Sequence, residues 1–437
     1  MTDAARVQRT YLVLTLLTTL AASFIWGINT LFLLDAGLSN AEAFAANAFF
    51  TAGMVIFEVP TGVVADTRGR RFSYLLGAGT LLLSTLLYLV MWQVRAPLLG
   101  WAIASILLGL GFTFFSGATE AWLVDALRAT GFGGHLEQVF GRAQTISGVA
   151  MLAGSVSGGL IAQATNLGVP YLVRAAMLGV TLVVAFWFMH DLGFTPERGI
   201  STGKAVRNVV RGAVDGGFRT PPVRWLMLAA PFTAGTGIYV FYAAQPYLLE
   251  LYGDKTAYGV AGLAAALVAG AQIVGGLLVG RVRRFFSRRT DALILGGILN
   301  VILLALIGLT SNFLVALGLL AAWCLVFAME TPLRQAFING LIPSEQRATV
   351  LSFDSLMGSA GGVVAQPALG RTADVYGYAA SYVVSAVIQA VAVPFSILAR
   401  RENAISDPIS EGPETLPEGV AAEGGADPVA VRPKPPA

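Results

Sequence analysis

The sequence predicts an all-α membrane protein, with twelve transmembrane helices in two pseudo-symmetric six-helix bundles. Three observations carry that prediction. Of the 437 residues, 12% are charged and 56% are apolar. A soluble domain carries about 25% charged residues, so most of this surface must face something other than water. Apolar runs of about 20 residues, the length that crosses a bilayer, recur along the chain. Basic residues gather on alternate connections between those runs, as they do when short loops on one membrane face retain Arg and Lys.

The first run, 10–34, is longer than a signal-peptide core and reads as a retained span. The others follow at 41–65, 73–93, 97–127, 142–164, 171–190, 223–250, 258–280, 290–310, 312–338, 347–370 and 376–399. Each is expected to be helical, because an open strand leaves backbone groups unpaired in lipid. With both ends on the cytoplasmic side, the inner connections hold Arg68, Arg70, Arg71, Arg128, Arg142, Lys204, Arg207, Arg211, Arg281, Arg283, Arg284, Arg288, Arg334 and Arg347. The outer connections hold only Arg95, Arg174, Lys255 and Arg371. A miscounted span would scramble this alternation.

Four regions result: a first bundle over 1–190, a linker over 191–222, a second bundle over 223–401 and a tail over 402–437. In the linker, Lys204, Arg207 and Arg211 interleave with Val206, Val209, Val210 and Val214. That spacing predicts a basic amphipathic helix on the membrane surface. The tail is rich in Pro, Gly, Ala and acidic residues and is expected to be disordered. A single cysteine, Cys324, excludes an internal disulfide framework.

The halves resemble each other. Span 5 reads Arg142-Ala-Gln-Thr-Ile-Ser147, then Gly154-Ser-Val-Ser-Gly158-Gly159. Span 11 reads Arg347-Ala-Thr-Val-Leu-Ser352, then Gly358-Ser-Ala-Gly-Gly362. Glu120 and Glu330 fall at equivalent places in spans 4 and 10. Such internal repeats are common in transporter folds.

Gly62-Val-Val-Ala-Asp-Thr-Arg-Gly-Arg-Arg71 forms a charged hinge between spans 2 and 3. It resembles the signature loop of the major facilitator superfamily, G-x-x-x-D-[RK]-x-G-[RK]-[RK]. Gly62, Asp66, Gly69, Arg70 and Arg71 fit it and Thr67 departs from it. The resemblance implies a secondary transporter that rocks two bundles about a central site. It also implies that Asp66 meets the start of span 11 when the inner side is closed. Gly154, Gly158 and Gly159 resemble the span 5 motif G-P-x-x-G-G of proton-coupled drug antiporters, with Ser155 in place of proline. The alternative reading of these glycines is close helix packing. The span 4 motif R-x-x-Q-G retains only Gly109, with Ser105 and Leu108 at its polar positions.

Charges inside spans cost about 2.5–3.5 kcal/mol each at mid-helix and need a reason. One role is a gate on the inner side: Asp66 with Arg70 and Arg71, Asp125 with Arg142, and Glu330 with Arg334, together with Arg347. Glu330 and Arg334 are four apart and share a helix face. The other role is proton coupling. Glu58, Glu120 and Asp354 have no basic partner nearby in sequence and are the candidates.

The inner spans offer Trp26, Asn29, Phe57, Phe112, Phe115, Tyr239, Tyr242, Gln245 and Gln272 as cavity candidates. That lining suits a small amphiphilic organic substrate. A carrier of multivalent anions would need a cation there. No nucleotide-binding loop supports ATP-driven pumping. The histidines His135 and His190 have no catalytic or metal-ligating context. The expected partners are therefore a small molecule, protons and the lipid bilayer, with no cofactor, metal or nucleic acid. The expected state is a monomer in a bacterial inner membrane. The leading expectation is proton-driven efflux, with metabolite uptake by symport or uniport, or a non-transporting membrane protein, as alternatives.

Overall fold

The computed structural model describes residues 3–196, 202–342 and 344–409. Helices dominate, and the single β-bridge among these residues joins Arg288 to Pro408. The first span is α1 (Asp3–Trp26) continued by α2 (Asn29–Asp35). It is followed by α3 (Asn40–Arg68), α4 (Arg70–Gln93), α5 (Leu98–Thr113) with α6 (Ala118–Ala129), α7 (Leu136–Ala164) and α8 (Gly168–Phe188). A surface helix, α9 (Thr202–Gly212), and a π-helical turn (Ala213–Phe218) lead to the second half. That half holds α10 (Pro221–Tyr252), α11 (Tyr258–Val282), α12 (Arg289–Leu309), α13 (Phe313–Asn339), α14 (Ser344–Ala390) and α15 (Ala392–Arg401).

Eleven continuous helical stretches are long and apolar enough to cross a membrane, and the last runs 53 residues, from Thr349 to Arg401. It holds two crossings. Gly377, at φ 83°, breaks α14 into antiparallel spans with a backbone conformation that a side chain would strain. Twelve crossings result, an even number that puts Asp3 and Arg401 on one face.

Small residues set the approach of the helices. A Cβ on Gly158 would lie 2.0 Å from the Phe24 carbonyl, and one on Gly154 would lie 2.5 Å from the Ser23 Cβ, so α7 rests directly on α1. In the second half, a Cβ on Gly361 would lie 2.2 Å from the Pro231 carbonyl, so α14 rests on α10 in the same way. Gly159 faces the other half instead, against Tyr258 and Gly262 of α11. The glycine motif thus packs helices, as small residues do in membranes.

Two features depart from expectation. The tail does not lose order at residue 402. Asp407 is 1% exposed and caps α12, accepting from Thr290 N at 2.9 Å and Thr290 Oγ1 at 2.8 Å. Arg289 donates to the Pro408 carbonyl at 2.9 Å, and Ser406 Oγ donates to the Phe337 carbonyl at 2.8 Å. Backbone caps and a buried carboxylate hold this piece, which apolar content alone does not reveal. Residues 410–437 lie outside the described residues. Second, the expected linker helix forms as α9, and beyond that expectation it packs against both α3 and α14, touching both halves. Lys204, Arg207 and Arg211 are exposed, while the side chains of Val209 and Val210 lie outside the described residues.

Candidate functional site

The halves are joined at the face opposite the termini. Asp374 of α14 accepts from the backbone N–H groups of Asn40 and Ala41 at 2.9 Å each, capping α3 from across the interface. An anion at a helix N-terminus satisfies unpaired donors and the helix dipole together. Tyr378 OH donates to Asn40 Oδ1 beside it. Deeper in, Gln245 of α10 accepts from Thr30 N at 3.0 Å and donates to the Trp26 carbonyl at 2.9 Å. Gln163 accepts from Gly259 N at 2.9 Å, and Gln366 donates to Thr51 Oγ1 at 3.3 Å. From the N-terminal end of α3 these polar bonds between the halves reach inward as far as Thr51, eleven residues along that helix. None of these residues was expected to gate. One signal was available: Ser39 and Glu42 form a capping box that marks the start of α3 and so the level of the latch.

On the termini face, the charged hinge ties elements within one half. Arg70 pairs with Asp66 on consecutive helix ends. Arg71 donates to the Phe186 carbonyl at 2.7 Å, and its backbone N–H donates to Asp191 Oδ1 at 2.8 Å. Gly69, at φ 108°, is required twice, since a Cβ there would lie 2.3 Å from Asp191 Oδ2. Two expected gate pairs do not form. Asp125 and Arg142 make no ion pair among the described residues, and Arg142 is exposed. Arg334 leaves its helix neighbour Glu330 and takes Asp354 of α14 with two contacts, while also donating to the Leu226 carbonyl at 2.9 Å. Here Arg334 finds both a carboxylate and a backbone carbonyl on the neighbouring helices. Asp354 is therefore not an acid without a cation. The Arg347 side chain lies outside the described residues.

A cavity of about 730 Å³ occupies the first half and reaches the second only at Tyr242. Trp26, Asn29, Phe112, Phe115 and Tyr242 line it, as do Glu120, Thr15, Thr18, Thr19, Gln144 and Ser147. Glu120 and Gln144 are exposed, so this end is wet. From Tyr11 to Trp26 the lining follows α1 for ~22 Å. A smaller cavity of about 380 Å³ lies in the second half beside Glu330, Arg334, Gln335 and Asp354. Glu330 Oε2 accepts from Asn300 Nδ2 at 3.1 Å, and its Oε1 is buried without a partner. Glu58 accepts from Ser116 Oγ at 2.6 Å and lines neither cavity.

Four other cavity candidates lie elsewhere. Tyr239 is wholly buried, donating to Ser381 Oγ at 2.6 Å, because its face of α10 turns into the second bundle. Gln245 is spent in the far latch. Gln272 is exposed, Phe57 is half-buried, and neither lines these cavities. One lining residue was misplaced by sequence. Arg174, counted with the outer connections, is 2% exposed and lines the large cavity. Its Nε donates to Thr85 Oγ1 at 3.0 Å and its Nη1 to the Ala21 carbonyl at 3.1 Å. Its position near the expected edge of span 6 hid it, since α8 starts earlier and turns that side chain inward.

Solved structures share this architecture. A nucleoside transporter, NupG, superposes with a TM-score of 0.74 at 10% identity, covering 90% of this chain and 99% of its own. A bacterial homolog of the human lysosomal transporter Spinster, in an inward-facing and occupied conformation, gives 0.70 at 14% identity, covering 93% and 99%. A D-xylose-proton symporter gives 0.63 at 17% identity, covering 90% and 96%. At these identities the likeness establishes the fold. No curated protein sequence matches the chain. The sequence matches the Major Facilitator Superfamily over residues 11–286 and again over 230–430, which together span both bundles. With twelve crossings, two related halves and a cavity between latch and open face, the chain belongs to the major facilitator superfamily and is a membrane transporter.

Proposed function

We propose that the protein exports a small amphiphilic organic compound by alternating access, driven by protons, with both termini in the cytoplasm of a bacterial cell. The observation that carries this reading is the cavity of about 730 Å³, latched at the far face and wet at the termini face. Apart from Arg174 and Glu120, its lining is aromatic and neutral polar and suits a molecule with an apolar body and few polar groups. The excess of Arg on the termini-side connections supports the orientation. Rocking of the halves would release the Asp374 latch and close the termini face, where Asp66 waits near the hinge.

Glu120 is the acid best placed to carry the proton, because it lines the cavity, reaches water and makes no ion pair among the described residues. In proteoliposomes, Glu120→Gln should abolish pH-driven flux and spare counterflow exchange. Persistent pH-driven flux in that variant would remove Glu120 from the role. Uptake by symport or uniport would use the same cavity, and the sign of the flux under an imposed pH gradient separates it from export. Labelling that places Gly253 and the carboxyl tail on one face would overturn the topology.

A further inference from the structure

The large cavity holds a charge that an uncharged amphiphile leaves unanswered. Arg174 is 2% exposed, and a guanidinium remains a cation in proteins. In the second half the part-buried cation Arg334 is answered by Asp354. Arg174 has no carboxylate in ion-pair range among the described residues. It spends two of its five donors, on Thr85 and Ala21, and lies over the Phe112 ring at 5.9 Å. The acid of this cavity, Glu120, sits level with Tyr11, ten residues and therefore ~15 Å along α1 from Ala21.

A second orphan lies at the same end. Asn47 is 2% exposed, lines the cavity and has no acceptor for its Nδ2. Its Oδ1 is taken by Asn29 Nδ2 at 2.9 Å, and Asn29 Oδ1 accepts from Tyr171 OH at 2.9 Å, one turn before Arg174. A buried cation without a counter-charge is costly, and so is a buried amide donor without an acceptor. The Arg174 deficit is met by a ligand group that accepts hydrogen bonds and carries negative charge.

We propose that this end of the cavity is an anion-recognition site and that the transported amphiphile bears a single carboxylate. The carboxylate accepts from the free guanidinium donors of Arg174, while the apolar body lies against Phe50 and Phe112. One cation with a planar fork matches one carboxylate, not a multivalent anion. This inference rests on the reading of the cavity as the substrate site.

The test uses the full-length protein in nanodiscs and three probes with one body: 4-phenylbutyrate, its primary amide and 4-phenylbutylamine. Equilibrium binding is measured by calorimetry. The acid should bind at least about tenfold tighter than the amide, as a charge-assisted bond predicts. Arg174→Gln should erase that preference, and Arg174→Lys should retain part of it. Equal binding of acid and amide overturns the proposal, as does an unchanged preference in Arg174→Gln. The wild-type acid-to-amide ratio decides even if a variant fails to fold. Binding of the amide or amine without the acid leaves the amphiphile cavity standing and removes the anion site. Binding of none of the three removes both.

Discussion

Just beyond α8, Asp191 accepts from the N–H of Arg71 at the start of α4; just beyond α15, Asp407 accepts from the N–H of Thr290 at the start of α12. In each half, then, the segment after the sixth crossing returns to cap the third, and a glycine of the fifth crossing rests on the first. The scaffolds match, but the charges do not. In the second half the part-buried cation Arg334 is neutralised by Asp354, and its cavity is about 380 Å³. In the first half the buried cation Arg174 has neutral partners, and its cavity is about 730 Å³. A neutralised pair is part of the wall. An unanswered charge beside a larger void is available to a ligand. The difference teaches that two halves can share a frame and differ in charge, and on the proposed reading of the larger cavity the binding chemistry belongs to the first half.

The largest expected effect comes from breaking the neutral pair. Asp354→Asn leaves Arg334 partly buried without its counter-charge and should cost about 3 kcal/mol. Arg174→Gln removes a cation that has no counter-charge, and should cost only about 1 kcal/mol from its lost hydrogen bonds. Thermal unfolding of the purified variants compares them, and equal losses would erase the distinction between the halves.

Next is the latch that holds the halves together. Asp374→Ala removes two charge-assisted bonds to the start of α3 and should shift the population away from far-face closure by about 2 kcal/mol. Accessibility of a cysteine placed at Asn40 reports the shift, and unaltered labelling against a cysteine-free background would discount the latch.

The matched caps provide a symmetric control. Asp191→Ala and Asp407→Ala should each cost about 1 kcal/mol. If one is silent while the other is destabilising by several times that amount, the caps are not equivalent parts of a repeated frame.

The smallest effect is expected at Glu330. Its isosteric change Glu330→Gln keeps an acceptor for Asn300 and should leave stability within about 1 kcal/mol. It should also retain pH-driven flux in proteoliposomes, in contrast to Glu120→Gln. Loss of the pH response would move the proton role to the second half.

Much of the frame is legible along the chain because the bilayer acts residue by residue. Lipid offers no hydrogen bonds, so each crossing must be a helix of sufficient apolar length, and the runs beginning at Thr10 and ending at Ala399 can be counted directly. The hinge from Gly62 to Arg71 is legible for the same reason, since four charges in one turn cannot lie in hydrocarbon. The short sequence distance between Glu330 and Arg334 suggested a pair, and the fold sent Arg334 to Asp354 instead. Tyr239 looked like a cavity aromatic until the rotation of α10 turned it into the bundle.

What the sequence by itself determined is the number of crossings, their pairing into two related halves and the face on which the basic connections lie. What only the tertiary structure decided is which charges are answered. Asp374 reaches α3 and Arg334 reaches Asp354 because close helix contacts, set at glycines such as Gly158 and Gly361, fix the rotation and approach of whole helices. The partner of a buried charge is therefore a non-local quantity, while the cost of an unpaired backbone group in lipid is a local one.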